Sequence, residues 1–156
     1  MAENLIISDG TKEQKYQTLL QQVITLAEDE SDTIALMANI SSMIHHTFGF
    51  FWTGFYRVSG DELVLGPFQG PLACTRIKFG RGVCGTACKR AETVIVADVD
   101  KFPGHIACSS ASRSEIVVPV FEDSRVTAVL DIDSDKTDTF DETDKEWLEK
   151  ICGMIA

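Results

Sequence analysis

The stretch EIVVPVFEDSRVTAVLDIDS, residues 115–134, decides the predicted fold. Two runs rich in branched apolar residues lie on either side of the polar triplet EDS, which is a turn signal. Such runs are typical of β-strands, and a short polar connection joins antiparallel neighbours. We therefore predict a β-hairpin whose second strand ends with two acidic residues, Asp131 and Asp133.

The segments on either side of this hairpin predict a layered α+β domain. Helices are predicted, from apolar residues at helical spacing, over residues 12–30, 31–48, 80–92 and 141–156. Further strands are predicted, from branched and aromatic runs, over residues 48–58, 61–68 and 93–99. We expect one domain over residues 1–156, with two N-terminal helices and one C-terminal helix packed on a mostly antiparallel sheet of five to six strands.

Composition and charge limit the classes of function. The chain has 156 residues, 44% of them apolar, which suffices for one well-packed core and not for two. Its 24 acidic and 14 basic residues give a net charge of −10, which repels phosphate backbones and anionic lipid surfaces. The N-terminal residues lack the basic and apolar progression of a signal peptide. We therefore expect a cytoplasmic protein that binds neither nucleic acid nor membrane.

The five cysteines do not form the pattern of a structural disulfide framework. Their number is odd, and disulfides are rare in a reducing cytosol. A metal site is not expected either, because Cys84 and Cys88 are the only close pair and no nearby residues complete four ligands. Cys88 and Cys152 lie on predicted helices beside apolar residues, which indicates buried thiols without a chemical role.

Cys74 and Cys108 have a different sequence context. Each lies in a long predicted loop of small and polar residues, and an arginine follows nearby in each loop, Arg76 and Arg113 respectively. Long loops in a compact domain often carry function, and basic groups close to a thiol favour the thiolate. We interpret these two cysteines as candidate reactive thiols.

Four motifs in chain order carry a resemblance to a known family. They are GFFWTGFY at 49–56, GPFQGPLACTRIKFGRGVCGTA at 66–87, PGHIACSSASRSEIVVPV at 103–120 and AVLDIDS at 128–134. Together they resemble the free methionine (R)-sulfoxide reductases, small enzymes with the GAF fold. A GAF fold alone says little about function, since many such domains only bind small ligands. The three matched cysteines and the acidic strand ends make the resemblance more specific.

The resemblance implies roles for three cysteines in a reduction that needs no cofactor. Cys108 matches the thiolate that attacks the sulfoxide sulfur and becomes a sulfenic acid as methionine leaves. Cys74 matches the resolving thiol that closes a disulfide, which a thioredoxin-like dithiol then opens. Cys84 matches the third cysteine of the family, as an alternative nucleophile or a relay towards the reductant. The family also implies a possible homodimer.

A free amino acid needs a site for its ammonium group, and the acidic strand ends supply candidates. Asp131 and Asp133 are two positions apart on one strand and so share a face, and Glu115 begins the neighbouring strand. Clustered carboxyl groups raise one another's pKa, which helps one of them to give a proton to the sulfoxide oxygen. We expect Trp52 to contact the substrate methyl group and Tyr56 to belong mainly to the core. The alternatives are solvated strand ends for the acids and core packing for Trp52.

Two other functions fit parts of this pattern. A small-ligand-binding GAF module or a thiol redox sensor, each without turnover, would keep the fold or the cysteines. A redox sensor would not need the acid cluster. Consumption of NADPH in a coupled thioredoxin system, with free methionine sulfoxide as the added substrate, separates an enzyme from both.

Overall fold

A six-stranded sheet with antiparallel neighbours forms the centre of the computed structural model, which describes residues 4–106 and 110–155. The strands are β1 (Trp52–Ser59), β2 (Glu62–Gln69), β3 (Arg76–Lys78), β4 (Val94–Val96), β5 (Ser114–Glu122) and β6 (Arg125–Ser134). Across the sheet they run in the order β3-β2-β1-β6-β5-β4, and each pair is antiparallel. The predicted α+β class and antiparallel sheet are confirmed.

Four α-helices accompany the sheet in the described ranges: α1 (Lys12–Asp29), α2 (Thr33–Phe48), α3 (Gly82–Arg90) and α4 (Glu142–Cys152). The first two and the last begin at side-chain caps, because the Thr11, Asp32 and Asp141 oxygens accept hydrogen bonds from backbone N–H groups of the first turn. No helix within these ranges has the length and apolarity needed to cross a membrane.

The register of β5 with β6 separates the two faces of the sheet. Ile116 pairs with Ile132 and faces the core that α1, α2 and α4 cover. Glu115 pairs with Asp133, so these carboxyl groups share the opposite face, against which α3 packs. Since side chains alternate along a strand, one register places apolar residues under three helices and acidic residues under the fourth.

Some details of the elements differ from the predictions. Residues 76–78 form β3, which sequence patterns do not predict because a three-residue strand with exposed charged ends has no apolar run. The strand predicted over 93–99 covers Val94–Val96, because Asp98 caps a short 3-10 turn at Val99–Lys101. The C-terminal helix ends at Cys152, before the predicted residue 156.

A buried carboxylate joins the first and last helices. The hydroxyl of Tyr16 donates to Oδ1 of Asp144 at 2.6 Å, and Nζ of Lys12 donates to Oδ2 at 2.7 Å. The backbone N–H of Asp141 also donates to Oδ2, which completes the capping box of α4. Asp144 is only 1% exposed, so each of these partners replaces water that the carboxylate has lost.

We expect Tyr16→Phe to lower the free energy of unfolding by about 1 to 3 kcal/mol, because it leaves Oδ1 of Asp144 without its donor. Urea unfolding at neutral pH measures this change. In a double-mutant cycle, Tyr16→Phe should cost much less when Asp144 is already alanine. Additive effects of the two substitutions would contradict the proposed coupling between α1 and α4.

Candidate active site

A pocket opens on the α3 face of the sheet, where β1, β5 and β6 meet the first turn of α3. Its lining residues are Phe51, Trp52, Tyr56, Leu72, Ala73, Ile77, Arg81, Gly82, Val83, Cys84, His105, Ile106, Ser112, Glu115, Asp131 and Asp133. The structure therefore brings five of the predicted site residues to one place: Trp52, Cys84, Glu115, Asp131 and Asp133.

Three acidic side chains line this pocket close together, two of them buried and Asp133 half-buried. Glu115 and Asp131 are 5% and 6% exposed, and Glu115 is paired in register with Asp133. Sγ of Cys84 lies 4.0 Å from Oε2 of Glu115. One donor atom from each of Cys84, Glu115 and Asp131 lies within 4.8 Å of the others, so these three residues have a spacing that a metal ion can use.

The hydrogen-bond partners of the cluster leave one oxygen unused. Oδ1 of Asp133 accepts a hydrogen bond from the hydroxyl of Ser112 at 2.7 Å. Nε2 of His105 lies 3.8 Å from Oε1 of Glu115. Within the described part of the chain, Oδ1 of Asp131 has no hydrogen-bond partner although it is buried. A buried acceptor in this state is ready to receive a donor from a ligand.

Burial changes the protonation of the cluster. It raises the pKa of Glu115 well above its usual range, and the charges of Asp131 and Asp133 raise it further. Burial also raises the pKa of Asp133, with the charge of Asp131 adding to the effect. Burial raises the pKa of Asp131, and the neighbouring polar groups of Glu115 and Cys84 offset part of this rise. The cluster therefore holds protons at pH values where exposed carboxyl groups are ionised.

Aromatic residues of β1 and β2 form one wall of the pocket. The ring of Trp52 stacks on Phe68 at 5.2 Å and lies 6.0 Å from that of Tyr56. Nε1 of Trp52 donates to the carbonyl of Pro71 at 3.0 Å, which fixes the ring. A Cβ atom at Gly54 would lie 2.7 Å from the Trp52 ring and 2.3 Å from Cβ of Phe68. Glycine at this position therefore permits the stacked wall.

The described cysteines differ in state. Cys84, Cys88 and Cys152 are buried free thiols, as interpreted for the last two, whereas Cys74 is half-buried and disulfide-bonded. The hydroxyl of Tyr56 donates to the carbonyl of Cys74 at 2.9 Å. The predicted nucleophile, Cys108, lies outside the described residues.

Two arginines have other partners than their sequence positions suggest. The guanidinium of Arg76 pairs with Glu62 at 2.7 Å, across the β2–β3 ladder. The guanidinium of Arg113 pairs with Asp100 at 3.5 Å. Both arginines are therefore engaged with carboxylates, and their closeness to Cys74 and Cys108 along the chain does not show that they activate these thiols.

Sequence patterns do not identify several residues of the pocket. His105, Ile106 and the start of α3 line it. Tyr56 lines it as well and, as expected, belongs to the core. The α3 N-cap, Arg81, makes no side-chain cap hydrogen bond. The residue in the sequence that could have indicated this part of the pocket is Gly82. It begins α3 with a φ of 61°, a conformation that favours glycine.

Comparison with known proteins agrees with this fold. The model of the GAF domain family matches residues 17–156. The chain is 53% identical over 156 residues to GAF domain-containing protein A of Dictyostelium discoideum, with 99% of each chain covered. It is 43% identical to the free methionine-R-sulfoxide reductase of Saccharomyces cerevisiae, over 95% of this chain and 87% of that protein.

A solved structure gives the same result. The X-ray structure of free methionine-R-sulfoxide reductase from Neisseria meningitidis in complex with its substrate is similar with a TM-score of 0.95 and 51% identity. The match covers 97% of this chain and 92% of that chain. The resemblance drawn from the cysteine and acid motifs is thereby confirmed, and the chain belongs to the GAF domain family, in the group that contains the free methionine-R-sulfoxide reductases.

Proposed function

We propose that this protein, acting as one catalytic domain over residues 1–156, reduces free L-methionine (R)-sulfoxide to L-methionine. The observation that carries the proposal is the cluster of the buried Glu115 and Asp131 with the half-buried Asp133, beside an aromatic wall. A cluster of carboxyl groups with an unused buried acceptor suits the ammonium group of a free amino acid. The choice of the R epimer comes from the relatives that carry this activity in their names.

The two ends of the amino acid have different partners in this proposal. The ammonium group binds the acid cluster and donates to Oδ1 of Asp131. The carboxylate binds at the first turn of α3, where Gly82 and Val83 line the pocket and no side chain caps the helix. Free N–H groups and the helix dipole favour an anion at this position. Arg81, exposed at the same turn, adds a positive charge.

The side chain of the substrate lies against the aromatic wall. The methyl group and sulfur contact the Trp52 ring, since sulfur packs well against aromatic surfaces. The hydrogen bond from Trp52 to the carbonyl of Pro71 keeps that ring in place. With the ammonium group and the methyl group both fixed, one epimer presents its sulfur to the attacking thiolate.

The chemistry consists of two displacements at sulfur. The Cys108 thiolate attacks the sulfoxide sulfur while Glu115 or a neighbouring acid protonates the oxygen, so that methionine leaves and Cys108 keeps the oxygen as a sulfenic acid. The Cys74 thiol then attacks this sulfur, and water leaves as the disulfide forms. The flanking residues Ile106 and Ser112 line the pocket, which supports the placing of Cys108 in this role.

Cys84 has a supporting role in this scheme. Burial raises the pKa of its thiol well above the usual value, and the charges of Asp131 and Glu115 raise it further. A neutral thiol is a weak nucleophile but a hydrogen-bond donor. Its position 4.0 Å from Glu115 favours Cys84 as a donor to the acid cluster over its use as the first nucleophile.

The proposal extends to the reductant, the location and the assembly. A thioredoxin-like dithiol reduces the Cys74–Cys108 disulfide, which returns both thiols and carries the two electrons. The buried free thiols of Cys84, Cys88 and Cys152 and the net charge of −10 suit a reducing cytoplasm. The homodimer stays a prediction from the family resemblance.

Replacing the two loop cysteines should have different effects on a single turnover. Cys108→Ser should release no methionine, because no thiolate attacks sulfur. Cys74→Ser should release about one equivalent and stop as a sulfenic acid on Cys108, which dimedone traps for mass spectrometry. Single-turnover assays of released methionine measure both.

Cys88→Ser is the matched control, because Cys88 is a buried thiol of α3 outside the pocket lining, and it should turn over normally. If Cys84→Ser removes the first equivalent of methionine and Cys108→Ser retains it, the roles given to Cys84 and Cys108 are exchanged.

The protein should strongly prefer the free amino acid to N-acetyl methionine sulfoxide. Acetylation removes the ammonium charge and leaves a buried carboxyl group without its partner, which costs about 1 to 3 kcal/mol, or about 5- to 150-fold in kcat/KM. Asp131→Asn or Asp133→Asn should shrink this preference by slowing the free substrate more, whereas Glu115→Gln should slow both if it supplies the proton. Equal kcat/KM for both substrates in the unchanged protein rules out an ammonium pocket.

The substrate-free fold should become less stable relative to Asp131→Asn as pH rises above about 4. The pKa of Asp131 is raised in the folded state, so in this range the unfolded chain has lost a proton that the folded protein keeps. The free energy of unfolding of the unchanged protein therefore falls as the pH rises towards the raised pKa of Asp131. Asparagine does not titrate, so the variant lacks this contribution. Urea unfolding between pH 4 and 7 should show an advantage for the variant that grows with pH.

Asp61→Asn is the control, because Asp61 is exposed outside the pocket. It measures how the same substitution changes the free energy of unfolding at an exposed position. A constant difference between the unchanged protein and Asp131→Asn over this pH range would show that the buried carboxyl group does not carry the effect.

A further inference from the structure

We infer that the pocket also binds a soft divalent cation, such as Zn²⁺ or Co²⁺, through Cys84, Glu115 and Asp131, and that this cation excludes the substrate. The binding itself is independent of the proposed reaction, whereas the exclusion of substrate rests on the proposed ammonium site. Sequence spacing does not predict such a site, because Cys84 takes its neighbours from β5 and β6 and not from Cys88.

The donor atoms already have nearly the separation that a metal needs. One atom from each of the three residues lies within 4.8 Å of the others, and Sγ of Cys84 is 4.0 Å from Oε2 of Glu115. Zinc bonds of about 2.3 Å to sulfur and about 2.0–2.2 Å to oxygen place tetrahedral ligands roughly 3.4–3.6 Å apart. Side-chain movements of about an ångström or less therefore close the site.

An independent observation points to a missing ligand. Asp131 is 6% exposed, and its Oδ1 has no hydrogen-bond partner within the described part of the chain. Among the described residues, the basic side chain within 4.0 Å of the Glu115 carboxyl group is His105, whose Nε2 lies 3.8 Å from Oε1 of Glu115. A cation supplies the compensation that these buried carboxyl groups lack.

The donor set selects the class of cation. Metal binding displaces the Cys84 proton to solvent. The resulting thiolate sulfur with two carboxylate oxygens suits a borderline-soft ion such as Zn²⁺, while Mg²⁺ and Ca²⁺ prefer oxygen alone. Nε2 of His105 lies 3.8 Å from Oε1 of Glu115, beside the three donor residues. The open side of the pocket gives the ion an entry path.

The same carboxyl groups serve both ligands, which makes the two exclusive. A cation bound to Asp131 and Glu115 occupies the place proposed for the substrate ammonium group. Conversely, a bound amino acid screens the carboxylates and blocks access to Cys84.

The experiment uses the full chain carrying Cys74→Ser and Cys108→Ser, so that Cys84 is the thiol that remains in the pocket lining. Titration with Co²⁺ should give one equivalent of binding and a thiolate-to-cobalt charge-transfer absorption, which Zn²⁺ displaces. Adding Cys84→Ser should remove the absorption and weaken binding at least tenfold. Adding Cys88→Ser, the matched control on the same helix, should change neither, and Asp131→Asn should weaken binding while the absorption remains.

Substrate exclusion is measured in the same titration. Methionine sulfoxide should weaken Co²⁺ binding more than alanine at equal concentration, because alanine chelates the free ion through the same amino acid groups but lacks the side chain. Absence of a thiolate absorption, or one that survives Cys84→Ser, overturns the site. Equal effects of the two amino acids overturn the exclusion. Neither result touches turnover of free methionine sulfoxide by the unchanged protein, which tests the proposed function separately.

Discussion

The pairing of β5 with β6 is the constraint on which the rest of the structure depends. In this register Ile116 lies opposite Ile132 on the face covered by three helices, and Glu115 lies opposite Asp133 on the face covered by α3. A shift of one residue would turn the acids into the apolar core and the isoleucines into the pocket. The register of this hairpin therefore determines both which residues enter the apolar core and which acids line the pocket.

The acid cluster is stable only because the surrounding core is large. Two buried carboxyl groups and the half-buried Asp133, all with raised pKa values, are unfavourable in the free protein when ionised, and protons or a ligand cation relieve the cost. The aromatic wall and the helix-side core compensate for this local loss. A site that is destabilised when empty and relieved by an ammonium group binds that group selectively, because a neutral substitute leaves the carboxyl groups uncompensated.

The sequence predicts the strands with long apolar runs and the helices with periodic faces, because these patterns are local. It also predicts that Asp131 and Asp133 share a face with Glu115 nearby, since a hairpin register fixes this. The approach of Cys84 to Glu115 is not predictable, because it depends on how α3 returns to the sheet. The same holds for Arg76: its neighbour along the chain is Cys74, but its partner across the ladder is Glu62.

The acids and Trp52 have positions that match the chemistry proposed for the pocket. The acids lie on paired strands and Trp52 is held by stacking and by a hydrogen bond, so the groups that orient a substrate are fixed. Along the chain, Cys74 follows β2 and Cys108 precedes β5. In the proposed scheme the attacking sulfur meets first a substrate sulfur and then a second thiol, with which it forms a bond of about 2.05 Å. The proposal therefore assigns substrate orientation to the paired strands and disulfide exchange to Cys74 and Cys108, which lets one pocket combine precise binding with disulfide exchange.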